Sequence, residues 1–426
     1  MQTPLDLVSA GVIPPCFFPN VRLRLAYLLL WLLPGLAVAQ SSLSGTVRDS
    51  LTQKPLPFAS VFLANTTIGA TTTEQGTFTF ERVPAGSYDI VASYVGYRLA
   101  KQSITVGRTP QQLALALAPT GAQLGEVVVR PRPNKPSDYQ RFKELFLGYS
   151  TFSQQCRIHN PDDVLVDFDP KTTELTAAAR NYVQVDNQAL GYRVKYYGLR
   201  FTCNFTEQVV TFYGQPVFEE MTTRSARQRR QWEANRVRAY LGSPTHFFRS
   251  LRDSQLTAQG FVARRLRIVS NPRFARADSL RQALLRQRRA YSAVEQDSLK
   301  RWAGVPPSFA MLYMAPLHVD KLRRVAADGQ RVFLRFQDQL QVTYLLAGPD
   351  ANYRLQPSRY ARGPAPPLPQ DRQVSQLILM QPEVEIEANG QLANPLAIFT
   401  DEYWGFEKMG EFLPVNYLPP APSPNP

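Results

Sequence analysis

The chain's three histidines, His159, His246 and His318, are scattered, and none opens an H-x-x-E pair with a later histidine. A catalytic zinc of the metallopeptidase kind needs that spacing, which sets two ligands on one helix face. Three cysteines, Cys16, Cys156 and Cys203, add too few sulfur ligands to complete a zinc set. No nucleophile elbow G-x-S-x-G, phosphate loop, H-E-x-x-H or G-x-G-x-x-G occurs in the sequence. Carboxylates stand in pairs at Asp162-Asp163, at Asp167 and Asp169, and at Asp401-Glu402. Two carboxylates at a set distance can hydrolyse a glycan or peptide, so Asp401 and Glu402 define a hydrolase alternative. Asp167 and Asp169 flank Pro170-Lys171-Thr172, where aspartate commonly serves a turn, and calcium would need further oxygen ligands at regular spacing. No catalytic residue, metal or cofactor is expected, and His246 and His318 are expected to be structural.

Cys156 and Cys203 leave two readings open. They could close a disulfide, which for a loop of this length contributes about 4 kcal/mol in the chain-entropy model. Alternatively Cys203, alternating with Phe201 and Phe205 on one strand face, is a buried free thiol.

Charge is the most uneven feature. The formal net charge is +14, and only nine of the 48 basic residues are lysine. Residues 224–302 hold nineteen Lys and Arg against five acids, so the whole excess sits there. Arg224, Arg227, Arg229, Arg230, Arg236 and Arg238 load one expected helix ending at Gly242; Ser243-Pro244 opens the next, and Arg281, Arg286, Arg288 and Arg289 load a third. Three readings compete. Nucleic acid is not expected as a partner, because no binding motif accompanies the arginines and the leader described below directs export. Anionic lipid or lipopolysaccharide phosphate would be held by the same Coulombic attraction, with Arg224, Arg227, Arg229, Arg230, Arg236, Arg238, Arg286, Arg288 and Arg289 as contacts. The third reading is a solvated face, partly balanced inside the molecule by residues 371–418, which carry eight acids against Arg372 and Lys408.

The elements around these residues begin with a leader. Arg22 and Arg24 precede the apolar run Leu25–Leu33, then Pro34-Gly35 and Ala37-Val38-Ala39. That order is a secretory signal with cleavage after Ala39, and the run is short of the roughly 20 residues a membrane span requires. No cysteine stands at the cleavage position, so a lipid anchor is not expected. Export places the chain in the periplasm, in association with the outer membrane on one reading.

From 40 to 120 come seven short runs with strand character: SLSGTVRD, FASVFLAN, GATTT, TFTFERV, SYDIVASYVGY, AKQSITV and QLALAL. Val61 and Leu63, then Phe78 and Phe80, alternate with polar or small residues, and Gly or Pro turns separate the runs. This spacing predicts a small β-sandwich. The blocks Gly45-Thr46-Val47-Arg48-Asp49, Pro55-Leu56-Pro57-Phe58-Ala59, Glu74-Gln75-Gly76-Thr77-Phe78, Val83-Pro84-Ala85-Gly86 and Tyr94-Val95-Gly96-Tyr97 follow in order. Together they resemble the carboxypeptidase-regulatory-like domain. That resemblance implies a prealbumin-like (transthyretin-like) seven-stranded sandwich of the kind found in Bacteroidetes cell-envelope proteins, without catalytic residues of its own. Glu74 stands where the family more often has Asp.

Leu124-Gly125-Glu126-Val127-Val128-Val129 and a Pro-rich stretch form a linker over 121–136. In related transporters such a segment leads into an outer-membrane barrel, but the roughly 290 remaining residues lack serial amphipathic strands. Residues 137–418 instead predict a mixed α+β domain. Ser137 and Gln140 suggest a capping box opening a helix with Tyr139, Phe142 and Phe146 on one face and Gly148 at its end. VLVDF, ELTAAA, residues 192–205 and VVTFYG follow as an antiparallel sheet, then the basic helices. Tyr403-Trp404-Gly405-Phe406 is expected to close a core, and 419–426 to form a Pro-rich tail. This second unit resembles Bacteroidetes proteins known only by their carboxypeptidase-like regulatory domain, which implies no activity. The expectation is a mainly β plus α+β, non-enzymatic envelope interaction or scaffold protein whose sandwich docks an envelope protein partner.

Overall fold

The computed structural model describes residues 40–120, 134–287, 289–353 and 370–420. The leader over 1–39, most of the expected linker, Arg288 and the tail beyond 420 lie outside the described residues. Among the described residues, no helix is long and apolar enough to cross a membrane.

All seven expected strands of the first module form: β1 (Gln40–Asp49), β2 (Ser60–Leu63), β3 (Gly69–Thr71), β4 (Thr77–Pro84), β5 (Gly86–Ser93), β6 (Ala100–Val106) and β7 (Gln111–Leu117). They make two facing sheets, ordered β4-β1-β7 and β3-β2-β5-β6. Phe78 and Phe80 point into a core with Leu43, Val47, Ile90 and Leu117, as their period of two requires. Gly45 is needed at the centre of β1. A Cβ there would lie 2.4 Å from the Leu113 carbonyl and 2.7 Å from the Phe78 ring. Asp49 ends the strand by accepting the Leu51 and Thr52 amides and the Tyr97 hydroxyl, and those bonds, the Thr52 amide first, hold its carboxyl below the usual range. Two of the family-like blocks are thus tied by one carboxylate.

The region read as one α+β unit contains two cores. In the first, helix α1 (Pro136–Leu147) lies on a six-stranded antiparallel sheet of β8 (Cys156–Ile158), β9 (Val164–Asp169), β10 (Glu174–Ala179), β11 (Tyr182–Asn187), β12 (Tyr192–Asn204) and β13 (Val209–Glu220). Phe142 and Phe146 are fully buried and meet Phe201, Tyr196 and Phe212 edge-on. The capping box expected at Ser137 is not formed. The helix begins two residues earlier because Pro136, whose fixed φ suits the first helical position, sets the start behind Lys135.

The second core gathers β14 (Phe261–Ser270), β15 (Ser308–Leu312), β16 (Arg323–Val325), β17 (Val332–Leu334), β18 (Gln339–Tyr344), β19 (Gln373–Leu379), β20 (Val384–Ile386) and β21 (Ile398–Asp401). They form a five-stranded sheet, β15-β14-β18-β19-β21, and a three-stranded one, β16-β17-β20. Helix α2 (Ala226–Tyr240) leads into α3 (Pro244–Arg252), capped at Ser243 as the Ser-Pro pair suggests. The α3 side chains Phe247 and Leu251 pack with Phe261, Leu340 and Trp404. Between β14 and β15 stand α4 (Pro272–Leu285) and α5 (Ala293–Ala303); α6 (Val319–Leu322) and α7 (Glu402–Phe406) are short. The described residues from Gln40 onward belong to one compact unit. The sandwich joins the first core through an apolar seam in which Phe62, Ala64 and Val91 meet Tyr197 and Val217.

Candidate functional site

Helix α2 shows why the arginines must be sorted by face. Its inner face carries Trp232, Asn235 and Arg236, spaced three and four residues apart so that they point one way. The Trp232 indole donates to the Gln188 carbonyl (2.8 Å) and the Asn235 amide to Ala189 (2.7 Å). Arg236 donates through Nε to Leu190 (2.8 Å) and through Nη2 to Gly191 (3.2 Å). One helix therefore donates to four successive carbonyls of the β11–β12 turn, of which Gly191 also accepts the Met221 amide. Gly191, at φ 69°, lies so close to the indole that a Cβ would be 2.3 Å from the ring. Arg236 also stacks 3.9 Å over the Tyr192 ring and is 9 % exposed. It leaves the set of surface arginines, because its donors are consumed inside the fold.

Away from that contact the arginines are different. Arg224, just ahead of the helix, and Arg227, Arg229 and Arg230, in its first turns, are exposed and make no ion pair among the described residues. Arg238 is exposed but occupied: it covers the Phe152 ring, donates to the Thr151 hydroxyl and lies 3.7 Å from Asp350. Arg289 pairs with Glu295 at 2.6 Å, and Arg286 is exposed just past α4. Arg249 and Arg252 are structural, donating to the carbonyls of Asn389, Val415 and Tyr417 and of Ile386 and Gln330. The expected balance between 224–302 and the acids of 371–418 is not made by ion pairs among the described residues. Cations of the stretch instead pair with Glu220, Asp278, Glu295, Asp297, Asp338 and Asp350. The late acids have local partners, such as Glu383 with Arg324 and Asp371 with Arg372.

Beside α2 lies a polar cleft of about 470 Å³, walled by Asp186, Arg193, Glu219, Glu220, Thr223 and Trp232 among others. Arg193 grips Asp186 with two bonds of 2.8 and 3.0 Å, and His159 lies 3.0 Å from the same carboxylate. The Arg193 guanidinium holds the Asp186 carboxyl below the ordinary carboxylate range. Glu219 pairs with Lys195 and Glu220 with Arg236. Each wall carboxylate thus has a cation beside it, an arrangement that fixes the cleft's shape and leaves little acid or base capacity.

The other singled-out residues serve the backbone. Asp169 accepts the Lys171 amide and the Thr172 hydroxyl across the hairpin turn, and Asp163 accepts from the Asn160 side chain. Asp401 caps α7, and Glu402 accepts from Tyr353 and Gln376, with burial pushing its carboxyl up. The aromatic run behind them closes the second core, as expected, with Trp404 buried. His246 is buried, accepting the Gly242 amide at Nδ1 and lying 3.1 Å from Gln259 at Nε2; burial holds it below the usual histidine range, in the neutral form. His318 is exposed beside Asp320. No group of three or more His, Cys, Asp or Glu that could hold a metal occurs among the described residues.

The disulfide reading is overturned: both cysteines are free. Cys156 is opposite Asn187, which is opposite Tyr192, and Cys203 lies eleven residues further along β12. At roughly 3.3 Å per residue, that is several times the ~7 Å that a disulfide can span between Cα atoms. Sequence reasoning missed the turn-holding face of α2. The Trp-x-x-Asn-Arg spacing was its only signal, and the turn it serves lies over forty residues away.

Fold and site together define a seven-stranded prealbumin-like sandwich fused to a mixed α+β body that presents an arginine-rich helix. Residues 43–129 match the family described as CarboxypepD_reg-like domain, so the first module is a member of that family. No curated protein matches the chain. Among solved structures the chain is similar to a type II cohesin–X-dockerin complex from Acetivibrio cellulolyticus (20 % identity, 18 % of this chain, 52 % of that one, TM-score 0.16). It is similar also to Klebsiella pneumoniae 5-hydroxyisourate hydrolase (26 %, 19 % and 92 %, 0.17). A third is a Bacteroides fragilis protein described as membrane-associated and of unknown function (10 %, 85 % and 95 %, 0.17). This chain spans about half the length of the first of these. Likenesses this faint define no role.

Proposed function

We propose that this is a non-enzymatic interaction protein of the bacterial cell envelope, exported to the periplasm and working near the outer membrane. The sandwich and the body act as one scaffold, and the arginine-bearing start of α2 meets an envelope protein partner. One observation carries this reading. The carboxylates and histidines with chemistry to offer are absorbed in turns, caps and ion pairs, while three arginines in the first turns of α2, and Arg224 just ahead of it, stand exposed and without an ion pair among the described residues. A scaffold spends its charged groups in this way. The leader composition and the family of the first module support the location.

The test is fractionation of the native envelope with mild cross-linking, using the tagged chain. The protein is expected in the periplasmic or outer-membrane fraction, in a complex that the Arg224→Ser/Arg227→Ser/Arg229→Ser/Arg230→Ser variant no longer forms. Recovery of the wild type only as a free monomer, or in the cytosol with its leader intact, overturns the reading.

A further inference from the structure

Strand β14 outgrows its sheet. On one side β18 pairs with it only as far as Leu266, and beyond that point Arg267–Ser270 is held by β15 alone. The result is a two-stranded ribbon with the α4–α5 hairpin standing on its end. Asn271 closes the neck, donating its amide N–H to the Pro307 carbonyl and its side chain to Pro306. Across residues 267–312, only Asn271, Ala277 and Leu284 are buried among the described residues. Two apolar side chains are a very small core for an element of this length.

The arm's surface joins two properties. It holds nine Lys and Arg against three acids, a net charge of +6. All three acids are already taken by the arm's own arginines: Asp278 by Arg281, Glu295 by Arg289 and Asp297 by Arg301. Arg267, Arg273, Arg276, Arg286 and Lys300 remain exposed and make no ion pair among the described residues. Large apolar side chains are exposed among them. Phe309 and Met311 are each 49 % exposed on the edge strand, and Val294 at the start of α5 is 73 % exposed. Register places Met311 opposite Arg267 and Phe309 opposite Val269, so cation and apolar groups share one face of the ribbon.

We propose that this arm docks on an anionic phospholipid surface. Its free cations take the headgroup phosphates, and Phe309, Met311 and Val294 enter the interfacial layer beneath. A lipid interface offers both chemistries in that order of depth. Inorganic phosphate would satisfy only the cations. The proposal rests on the envelope location argued above for its biology, but its test is independent of any protein partner.

The protein recovered from its native envelope is co-sedimented with phosphatidylcholine vesicles, with and without a phosphatidylglycerol fraction. Binding is expected only with phosphatidylglycerol, weakening as salt rises. A cation near such a surface raises partitioning roughly fivefold, so Arg273→Ser/Arg276→Ser/Arg286→Ser should lower it by about 100-fold. Phe309→Ser/Met311→Ser should lower it as well at constant charge. Arg224→Ser/Arg227→Ser/Arg229→Ser, at the start of α2 and just ahead of it, should leave it unchanged, and an unaltered urea midpoint shows that each variant is folded. Equal binding to both vesicle types, undiminished binding by the arm variant, or equal loss from the α2 variant overturns the proposal. So does an arm that binds an acidic protein and no vesicle. A negative vesicle result would leave the co-purification result standing, so the two claims fail separately.

Discussion

Replacing Arg236 with methionine tests whether the arginines of α2 divide as the geometry says. Methionine keeps much of the stem and removes every donor. The Leu190 carbonyl then loses its partner inside the fold, while the Gly191 carbonyl keeps the Met221 amide. Such an orphaned acceptor costs about 1–3 kcal/mol, and the stack over Tyr192, largely shielded from water, adds about 2 kcal/mol. These terms overlap because they share one group. Removing a buried guanidinium also recovers part of its desolvation cost, while the Glu220 contact contributes little because that carboxylate is 61 % exposed. The balance is a loss of about 3 kcal/mol. Arg227→Met, on the opposite, exposed face of the same helix, should stay within about 0.5 kcal/mol of the wild type. Urea unfolding measures both, with the midpoint shifting at constant slope. Equal midpoints for the two variants would refute the division of the helix into a structural and a free face.

Three further outcomes follow from the described contacts. Reductant should leave the unfolding midpoint unchanged, and Cys156 and Cys203 should react with a thiol reagent only after denaturation, since burial pushes both thiols up; a midpoint that drops on reduction would mean a disulfide. Phe62→Ala opens the seam at Tyr197, which it meets at 4.8 Å, and should cost about 3 kcal/mol and split one calorimetric transition into two; an unchanged single transition would show that the seam does not couple the cores. Burial pushes the Glu411 carboxyl up to about 7 from 4.5. Protonation then favours the folded state, so stability should fall as pH rises from about 4.5 through 7, by about 3 kcal/mol in all; Glu411→Gln should flatten that slope, and a protein more stable at pH 8 than at pH 5.5 would contradict it.

The first module was legible because its strands alternate with period two between glycine and proline turns, and every run with that pattern became a strand. VLVDF became β9, which runs one residue further to Asp169, and ELTAAA became β10 residue for residue, on the same grounds. The division of 137–418 into two cores was not legible. Phe201 and Phe261 carry the same apolar signal, and nothing local says that they face different neighbours. The arginines show the same limit. Arg227 and Arg236 differ by a half-turn about one helix axis, and only the β11–β12 turn packed against one face makes the second structural. For Cys156 and Cys203, compartment and loop length favoured pairing, but the register of three strands set them apart.

The C-terminal segment explains why these separate cores behave as one body. Trp404 is buried in the second core and donates its indole to the Gly242 carbonyl. Five residues on, Met409 is buried in the first core, and Phe412 stacks on Phe212 there. Val415 then donates to the Asn65 carbonyl of the sandwich, where the Asn416 side chain bonds Thr67 in both directions. Arg249 fixes the strap from behind through the carbonyls of Val415 and Tyr417. A chain of about fourteen residues therefore touches three cores in succession, each contact being short-range and saturated. Closing loops of that size costs little compared with the loops of over 300 residues that separate Asn65 from Val415 in sequence. The strap converts three marginal interfaces into one, and it does so without occupying the α2 face or the α4–α5 arm. That leaves both cationic surfaces uncovered by the strap, as the proposed protein and lipid contacts require.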